Sequence, residues 1–419
     1  MPLLFFLFPI FGLYNGIKYF IQYKYRYGLL FFFFWFGYSV NFYPSDIINY
    51  RDDYALLVRY TWENLYHLIV YFNDDALKFS QVAPNVYNYK PDFFALTLGF
   101  LVSRFTENPR WFFAIISVIY FYFMIKFLDE ALKYTGYNKS KGWSLFFATL
   151  VLIVPFFVGI TGVRFWTGLF FYIWILLKYV NTGQRKYLFL TAFSIFFHYT
   201  FIFPVIISFM GGLLKINKTV FKALTVIGIV YVLLSTTTSS LNFIRNALDI
   251  FDSDTLSKAT ASYLDEEEIV KGKSNLQANT NWYVTWRVTL LNFYFITFFV
   301  FDFFKFNKWD KPKTNLLFEN LYQIFFVIAL FTFNLSSIGR FVYIFYFLVI
   351  IRIISFQVYD STNKLQVWNM VFLPIFIIHV LVSFRVGLYF VDPLLVISPS
   401  IALLFIHSNI GLSEFLVGH

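Results

Sequence analysis

The stretch RWFFAIISVIYFYFMIKFLDEALKYTGYNKSKG, residues 110–142, decides the fold. Between Arg110 and Lys126 it carries no charge, and its apolar run is about the length that crosses a hydrocarbon layer as a helix. An arginine opens the run, and a loop with Lys126, Lys133, Lys139 and Lys141 follows it. Working outward, similar apolar blocks fall near 2–17, 28–43, 91–105, 143–161, 165–180, 187–214, 219–236, 286–304, 315–333, 341–357, 367–384 and 391–406. Composition agrees: of 419 residues, 59% are hydrophobic and 13% charged, where a soluble domain carries roughly 25% charge. No single soluble core of this length buries so much apolar side chain, which excludes a soluble enzyme. The ten-residue alternating segments of an outer-membrane barrel are absent, so the spans are helices. The expected fold is an all-α, polytopic helical integral membrane protein of about 11 to 13 helical segments, one transmembrane domain over 1–419.

Charge sets the expected orientation. If 91–105 crosses the membrane, loops 126–142 and 178–187 fall outside although both are basic. If 91–105 is instead a re-entrant helix, and 187–214 a hairpin kinked near His198 and Pro204, every Lys-rich loop lies inside. Loops 18–26, 126–142, 178–187, 215–222, 305–314 and 352–364 then hold 19 basic and 4 acidic residues. A first periplasmic segment, 44–109, and a second periplasmic loop, 237–285, together hold 9 basic and 15 acidic. Lys/Arg bias orients membrane proteins, so the amino terminus is expected outside. The block 2–17 has no basic residue before it, unlike a signal peptide, and reads as a retained span. The net charge of +10 is explained by the cytoplasmic loops and implies no nucleic-acid partner. With no Cys, thiolate metal sites, iron–sulfur clusters and disulfides are excluded.

The two basic residue types divide unequally. Nine of 12 Arg face outward while 16 of 21 Lys face the cytosol. Arg110, Arg164, Arg287, Arg340 and Arg385 each stand at the expected outer end of a span. A planar fork of five donors binds phosphate or carboxylate bidentately, which makes the outer face a candidate anion site. Snorkelling of single arginines to lipid headgroups is the plainer alternative.

The external segments add PSDIINYRDDYALLVRY at 44–60, with Arg51, Asp52 and Asp53, then the acidic run Asp265 to Glu268 and NLQANTNWY at 275–283. Carboxylates, amides and rings together suit sugar hydroxyls and apolar sugar faces, and a solvated helix start is the plainer reading of the acidic run. His198 reads either as a buried, neutral, hydrogen-bonded residue or as a catalytic base. His67, His379, His407 and His419 lack metal-ligand spacing, and no P-loop, Rossmann fingerprint or HExxH occurs. GxxxG-type spacings are scarce, and the repeated Phe tracts read as lipid-facing filler.

The order of features resembles the EpsG-like branch of the Wzy-type bacterial polysaccharide polymerases. The resemblance is carried by NYRDDY at 49–54, YKPDFFALTLGFL at 89–101, GVRFWTGLFFYIW at 162–174, LTAFSIFFHYTFIFPVI at 190–206 and SSIGRFVYIFYF at 336–347. Arg164-Phe165 stands where the family typically has Arg-Gln, and His198-Tyr199-Thr200 where it commonly has His-Ser. The resemblance implies a GT-C-like membrane glycosyltransferase that uses undecaprenyl-diphosphate-linked sugars without a nucleotide sugar. It implies a location in the bacterial inner membrane with the active site toward the periplasm.

The residues support compatible chemistry. Breaking an anomeric C–O bond leaves a diphosphate whose growing charge arginines stabilise without a metal or cofactor. Arg164, Arg340, Arg287, Arg385 and Arg51 are the expected diphosphate ligands, and Asp52, Asp53 and His198 the candidates for the base. Lipid-linked oligosaccharides, membrane lipids and a chain-length regulator are the expected partners. The expected activity is polymerisation of O-antigen or capsule repeat units. Two rivals stand beside it: an O-antigen ligase, separated only by its acceptor, and a flippase or transporter, for which Asp302 and Glu319 are the charges nearest the span interiors.

Overall fold

The computed structural model describes residues 7–20, 26–42, 46–70, 93–136, 159, 162–213, 217–234, 282–304, 315–332, 341–359, 364–408 and 411–417. Within them every regular element is helical. The expected span 143–161, apart from residue 159, and the polar part of loop 237–285 lie outside the described residues.

The first part of the chain forms α1 (Pro9–Lys18), α2 (Arg26–Tyr38), α3 (Asp46–Leu57), α4 (Trp62–Val70), α5 (Phe93–Ser103) and α6 (Pro109–Thr135). Helix α6 is the organising element, and its limits follow from its ends. The Asn108 side chain accepts the Arg110 N–H at 3.0 Å, Pro109 occupies a first-turn position where its missing N–H costs nothing, and Gly136 ends the helix at φ 61°. Its 27 residues reach about 40 Å, enough to span a bilayer core. Helix α7 (Val163–Thr182) packs along α6 and stops at Gly183, φ 68°. Both are apolar and long enough to cross a membrane.

On α2, α6 and α7 much of the Phe is not lipid-facing filler but core, whereas Phe189, Phe193 and Phe196 are exposed. Phe32, Phe33, Phe36, Phe112, Phe113, Phe121, Phe127 and Phe170 are all buried, with Phe33 stacked on Phe121 at 3.3 Å and Phe127 against Phe170 at 5.9 Å. Hydrocarbon and protein interior are equally apolar, so a Phe-rich block does not state which it will face. Small residues set the close approaches. Gly12 and Gly16, a GxxxG pair, lie against the Gly28 backbone and Leu29, and Gly37 lies against the Phe113 carbonyl and Ser117. Gly37→Val must push α2 off α6, at a cost of about 1–3 kcal/mol. A lowered melting temperature of the detergent-solubilised protein is the expected result, and an unchanged one would show that this contact does not hold the helices.

After Gly183 the chain makes a broken hairpin: α8 (Arg185–Leu190), a 3-10 turn Thr191–Phe193, α9 (Ser194–Phe197), a second turn Tyr199–Phe201, and α10 (Ile202–Leu213). The break is at His198, extended at φ −158° and ψ 122°, whereas Pro204 sits in the first turn of α10. Gly212 comes back against Tyr179 and Leu188, so the hairpin returns to the end it left. Helices α11 (Lys218–Leu234), α12 (Trp282–Phe303), α13 (Leu316–Thr332), α14 (Val342–Tyr359) and α15 (Lys364–Leu388) complete the bundle, and short turns α16 (Leu394–Ile397), Ser400–Leu404 and α17 (Leu412–Val417) close the described chain. Helix α14 is buried almost all round and ties the halves together, Phe347 meeting Phe127 at 4.9 Å and Tyr346 stacking on Phe295 at 4.5 Å.

The bundle has two polar ends. At the Thr135 end of α6, Arg26 pairs with Asp129, Asn181 donates to Glu130 at 2.8 Å, and Asn315 donates to the Val180 carbonyl at 2.9 Å. There too, Tyr134 stacks on Phe318 at 4.7 Å, beside Arg352, which pairs with Asp302 at 2.9 Å and Glu319 at 2.7 Å. These residues lie at the helix ends that the Lys-rich loops join, and those ends fall on one side of the bundle. The Arg110 end of α6 carries the chemistry described next.

Candidate functional site

Helix α3 presents two unlike faces. Ile47, Tyr50, Tyr54 and Leu57 recur at three- and four-residue spacing and are all buried, and Asp53 joins them at 5% exposure. Asp52 points the other way. Its carboxylate, 60% exposed, pairs with Arg51 at 2.8 Å. The helix is held by two contacts from the α5–α6 connection: the Tyr54 hydroxyl donates to the Thr106 carbonyl at 2.6 Å, and Arg104 donates to the carbonyls of Leu57, Val58 and Tyr60 at 2.7 to 3.0 Å. Arg104 thus caps the carboxyl end of α3, a purely structural use of an outward arginine. Tyr60 follows that end, and burial together with the nearby charge of Asp53 pushes its hydroxyl up to about 12.

Arg164 lies in the first turn of α7, and its Nε donates to the Tyr50 hydroxyl at 2.8 Å while its guanidinium sits 5.2 Å from the Tyr50 ring centre. A cation at a helix amino terminus opposes the macrodipole, so this position does not stabilise α7. What it creates is a region where the guanidinium and the positive end of the helix dipole attract the same anion. The next residue, Phe165, meets the His198 ring edge-on at 6.0 Å, Phe201 at 5.5 Å and Phe341 at 5.6 Å. The hairpin tip, the first turn of α7 and the start of α14 therefore converge on one residue.

His198 is buried, with Tyr199 stacked on its ring at 5.4 Å. The Thr200 backbone N–H donates to Nδ1 at 3.4 Å, and the Thr200 hydroxyl lies 2.8 Å from the same atom. A backbone N–H only donates, so Nδ1 accepts and the proton of the neutral ring resides on Nε2. In this state the imidazole is a donor at Nε2.

The sequence candidates divide accordingly. The fold joins α3, with Asp53, to Arg164 through Tyr50, and Arg164 to His198 through the neighbouring Phe165. Arg51 is held by Asp52 and stands 5.6 Å from the Phe42 ring centre. Arg385 is exposed in the last turn of α15 and makes no contact with this group. Arg340 and the side chain of Arg287 lie outside the described residues, as do Asp265 to Glu268 and all of 275–283 except the backbone of Trp282 and Tyr283. Sequence reasoning quoted Tyr50 within NYRDDY without choosing it. The signal was there, since Tyr50 and Asp53 are three residues apart and share a helix face.

These features define an all-α polytopic membrane protein with a cationic, partly buried site at one end. The chain belongs to the EpsG family, whose model matches residues 24–391, from before α2 to beyond α15. It is a membrane protein of polysaccharide biosynthesis. No curated protein and no solved structure matches it.

Proposed function

We propose that this protein is a polymerase of O-antigen or capsule repeat units, transferring a growing glycan from undecaprenyl diphosphate to the non-reducing end of a lipid-linked repeat unit. The observation that carries the reading is Arg164, seated on Tyr50 at the amino end of α7, on the inward face of the helix that bears Asp53. In this mechanism Asp53 takes the proton of the acceptor hydroxyl, whose oxygen forms the new bond to the anomeric carbon. The bond from that carbon to the diphosphate oxygen breaks, and its electron pair stays on the diphosphate. Arg164 and the Nε2–H of His198 stabilise that charge as it grows. No metal or cofactor is required for this sequence of steps.

A transporter reading is weakened by the fate of its candidate charges. Asp302 and Glu319 both close on the buried Arg352, tying α12, α13 and α14 together rather than lining a path. The test is to add a purified lipid-linked repeat unit to the reconstituted protein. A ladder of products supports the polymerase, a single transfer to lipid A core supports the ligase, and movement without new bonds supports the transporter.

The site is proposed to face the periplasm from the inner membrane, by the distribution of basic loops. A reporter active only outside the cytosol is expected to be on after Tyr60 or Asp254 and off after Lys139 or Lys311. A signal at Lys139 would overturn the re-entrant placement of 91–105. Helix α5, with 11 residues, reaches about 16 Å, half the hydrocarbon thickness, and its Phe94 packs on Phe197 at the hairpin tip at 4.5 Å, which supports that placement.

A further inference from the structure

A polymerase of this kind holds two lipid diphosphates at once: one departs and the other is kept. Two such anions repel strongly at close range in a medium of low dielectric, so they need separate cationic seats. The Arg164 site is one. A second guanidinium, that of Arg110, stands at the start of α6.

Arg110 is half-buried at the start of α6, its guanidinium 5.2 Å from the Phe42 ring centre. Its Nη1 donates to the Tyr38 carbonyl at 3.1 Å, and its other guanidinium N–H groups make no hydrogen bond among the described residues. Asp392, fully buried, adds a compensating charge; its two oxygens accept the N–H groups of Leu394 at 2.9 Å and Ser408 at 3.0 Å, and no ion pair with Arg110 is present among the described residues. The His407 ring lies 5.9 Å from the Tyr38 ring, with Nδ1 enclosed and without a hydrogen-bond partner among the described residues. Among the described residues the group therefore offers a guanidinium with unused donors, one imidazole nitrogen, and a buried carboxylate held by two backbone N–H groups.

Helix α3 separates the two sites. Tyr50 and Arg51 are successive residues, about 100° apart on a helix. Tyr50 meets Arg164, whereas Arg51 meets Phe42, the ring that Arg110 covers. We propose that Arg110, with Phe42 and His407 about it, is a second diphosphate site that holds the acceptor lipid while the Arg164 site carries out the transfer. This rests on the polymerase reading and assigns its second substrate a place.

The test uses the full chain in phosphatidylcholine nanodiscs, titrated with undecaprenyl diphosphate carrying no sugar. The wild type is expected to bind two equivalents, and Arg110→Gln and Arg164→Gln one each. The equivalent retained by Arg110→Gln also shows that the variant is folded. If that variant binds none, Arg110→Lys decides, because it keeps a donor for the Tyr38 carbonyl and loses the fork; at least tenfold weaker binding of one equivalent is then expected. In turnover, Arg110→Gln should raise KM for the acceptor at least tenfold with kcat little changed. A single equivalent in the wild type, lost in Arg164→Gln and untouched by Arg110→Gln, would overturn the second site and leave the polymerase reading standing. So would displacement of the second equivalent by phosphatidylglycerol at equal concentration, which would mark a headgroup seat. No binding by the wild type would overturn the polymerase reading itself.

Discussion

Arg164→Lys is expected to slow ladder formation a hundredfold or more while the protein remains inserted and folded. Lysine keeps the charge but places it as a point, whereas the guanidinium presents a planar fork that grips two oxygens of a departing diphosphate. Loss of one such contact, formed fully only as the C–O bond breaks, costs on the order of 3 kcal/mol in the transition state. The structural cost is much smaller. Among the described residues the variant gives up the hydrogen bond from Nε to the Tyr50 hydroxyl, worth about 1 kcal/mol. Tyr50→Phe removes that same bond from the other side and leaves the fork intact, so it should slow the reaction by a smaller factor. Full activity in Arg164→Lys would leave snorkelling to headgroups as the role of this arginine.

Asp53→Asn is expected to abolish chain growth, and Asp52→Asn to leave it near normal. Asparagine matches aspartate in shape but does not accept a proton, so the comparison isolates base chemistry. Asp53 lies on the buried face of α3, while Asp52 is exposed and already paired with Arg51 in an ion pair that contributes little at a surface. His198→Gln keeps an N–H donor and should only reduce the rate. The reverse pattern, a normal ladder from Asp53→Asn and none from His198→Gln, would make the imidazole the base. Normal ladders from all three would mean that the acceptor hydroxyl needs no base among them, leaving diphosphate stabilisation to carry the reaction.

Several site features were legible because they depend on local sequence. Arg110 and Arg164 stand in the first turns of α6 and α7, and the hairpin between Arg185 and Leu213 follows from an apolar stretch too long for one span between two basic loops. The kink expected near His198 and Pro204 falls at His198, since proline in a first turn starts a helix rather than breaking one. The choice between Asp52 and Asp53 was not legible. Apolar residues occur all round α3, with Ile47, Ile48, Tyr50, Tyr54, Ala55 and Leu57, so periodicity names no inward face until α5 and α6 pack against it.

The sequence by itself determined the all-helical, membrane-spanning character and, by the charge of its loops, the expected orientation. Both follow from the energetics of single segments: backbone groups in hydrocarbon must be satisfied within a helix, and basic loops resist translocation. Only the tertiary structure decided that Tyr50 would meet Arg164, 114 residues away, that Arg104 would cap α3, and that Arg51 and Arg110 would share Phe42. It also decided which Phe side chains are buried, such as Phe36 and Phe113, and which are exposed, such as Phe193 and Phe196. The reason is that lipid and protein interior are alike as solvents for an apolar side chain. Hydrophobicity therefore places a residue at a depth in the membrane, and only the shape of the neighbouring helices, set by contacts such as Gly37 on Phe113, selects the partner it meets there.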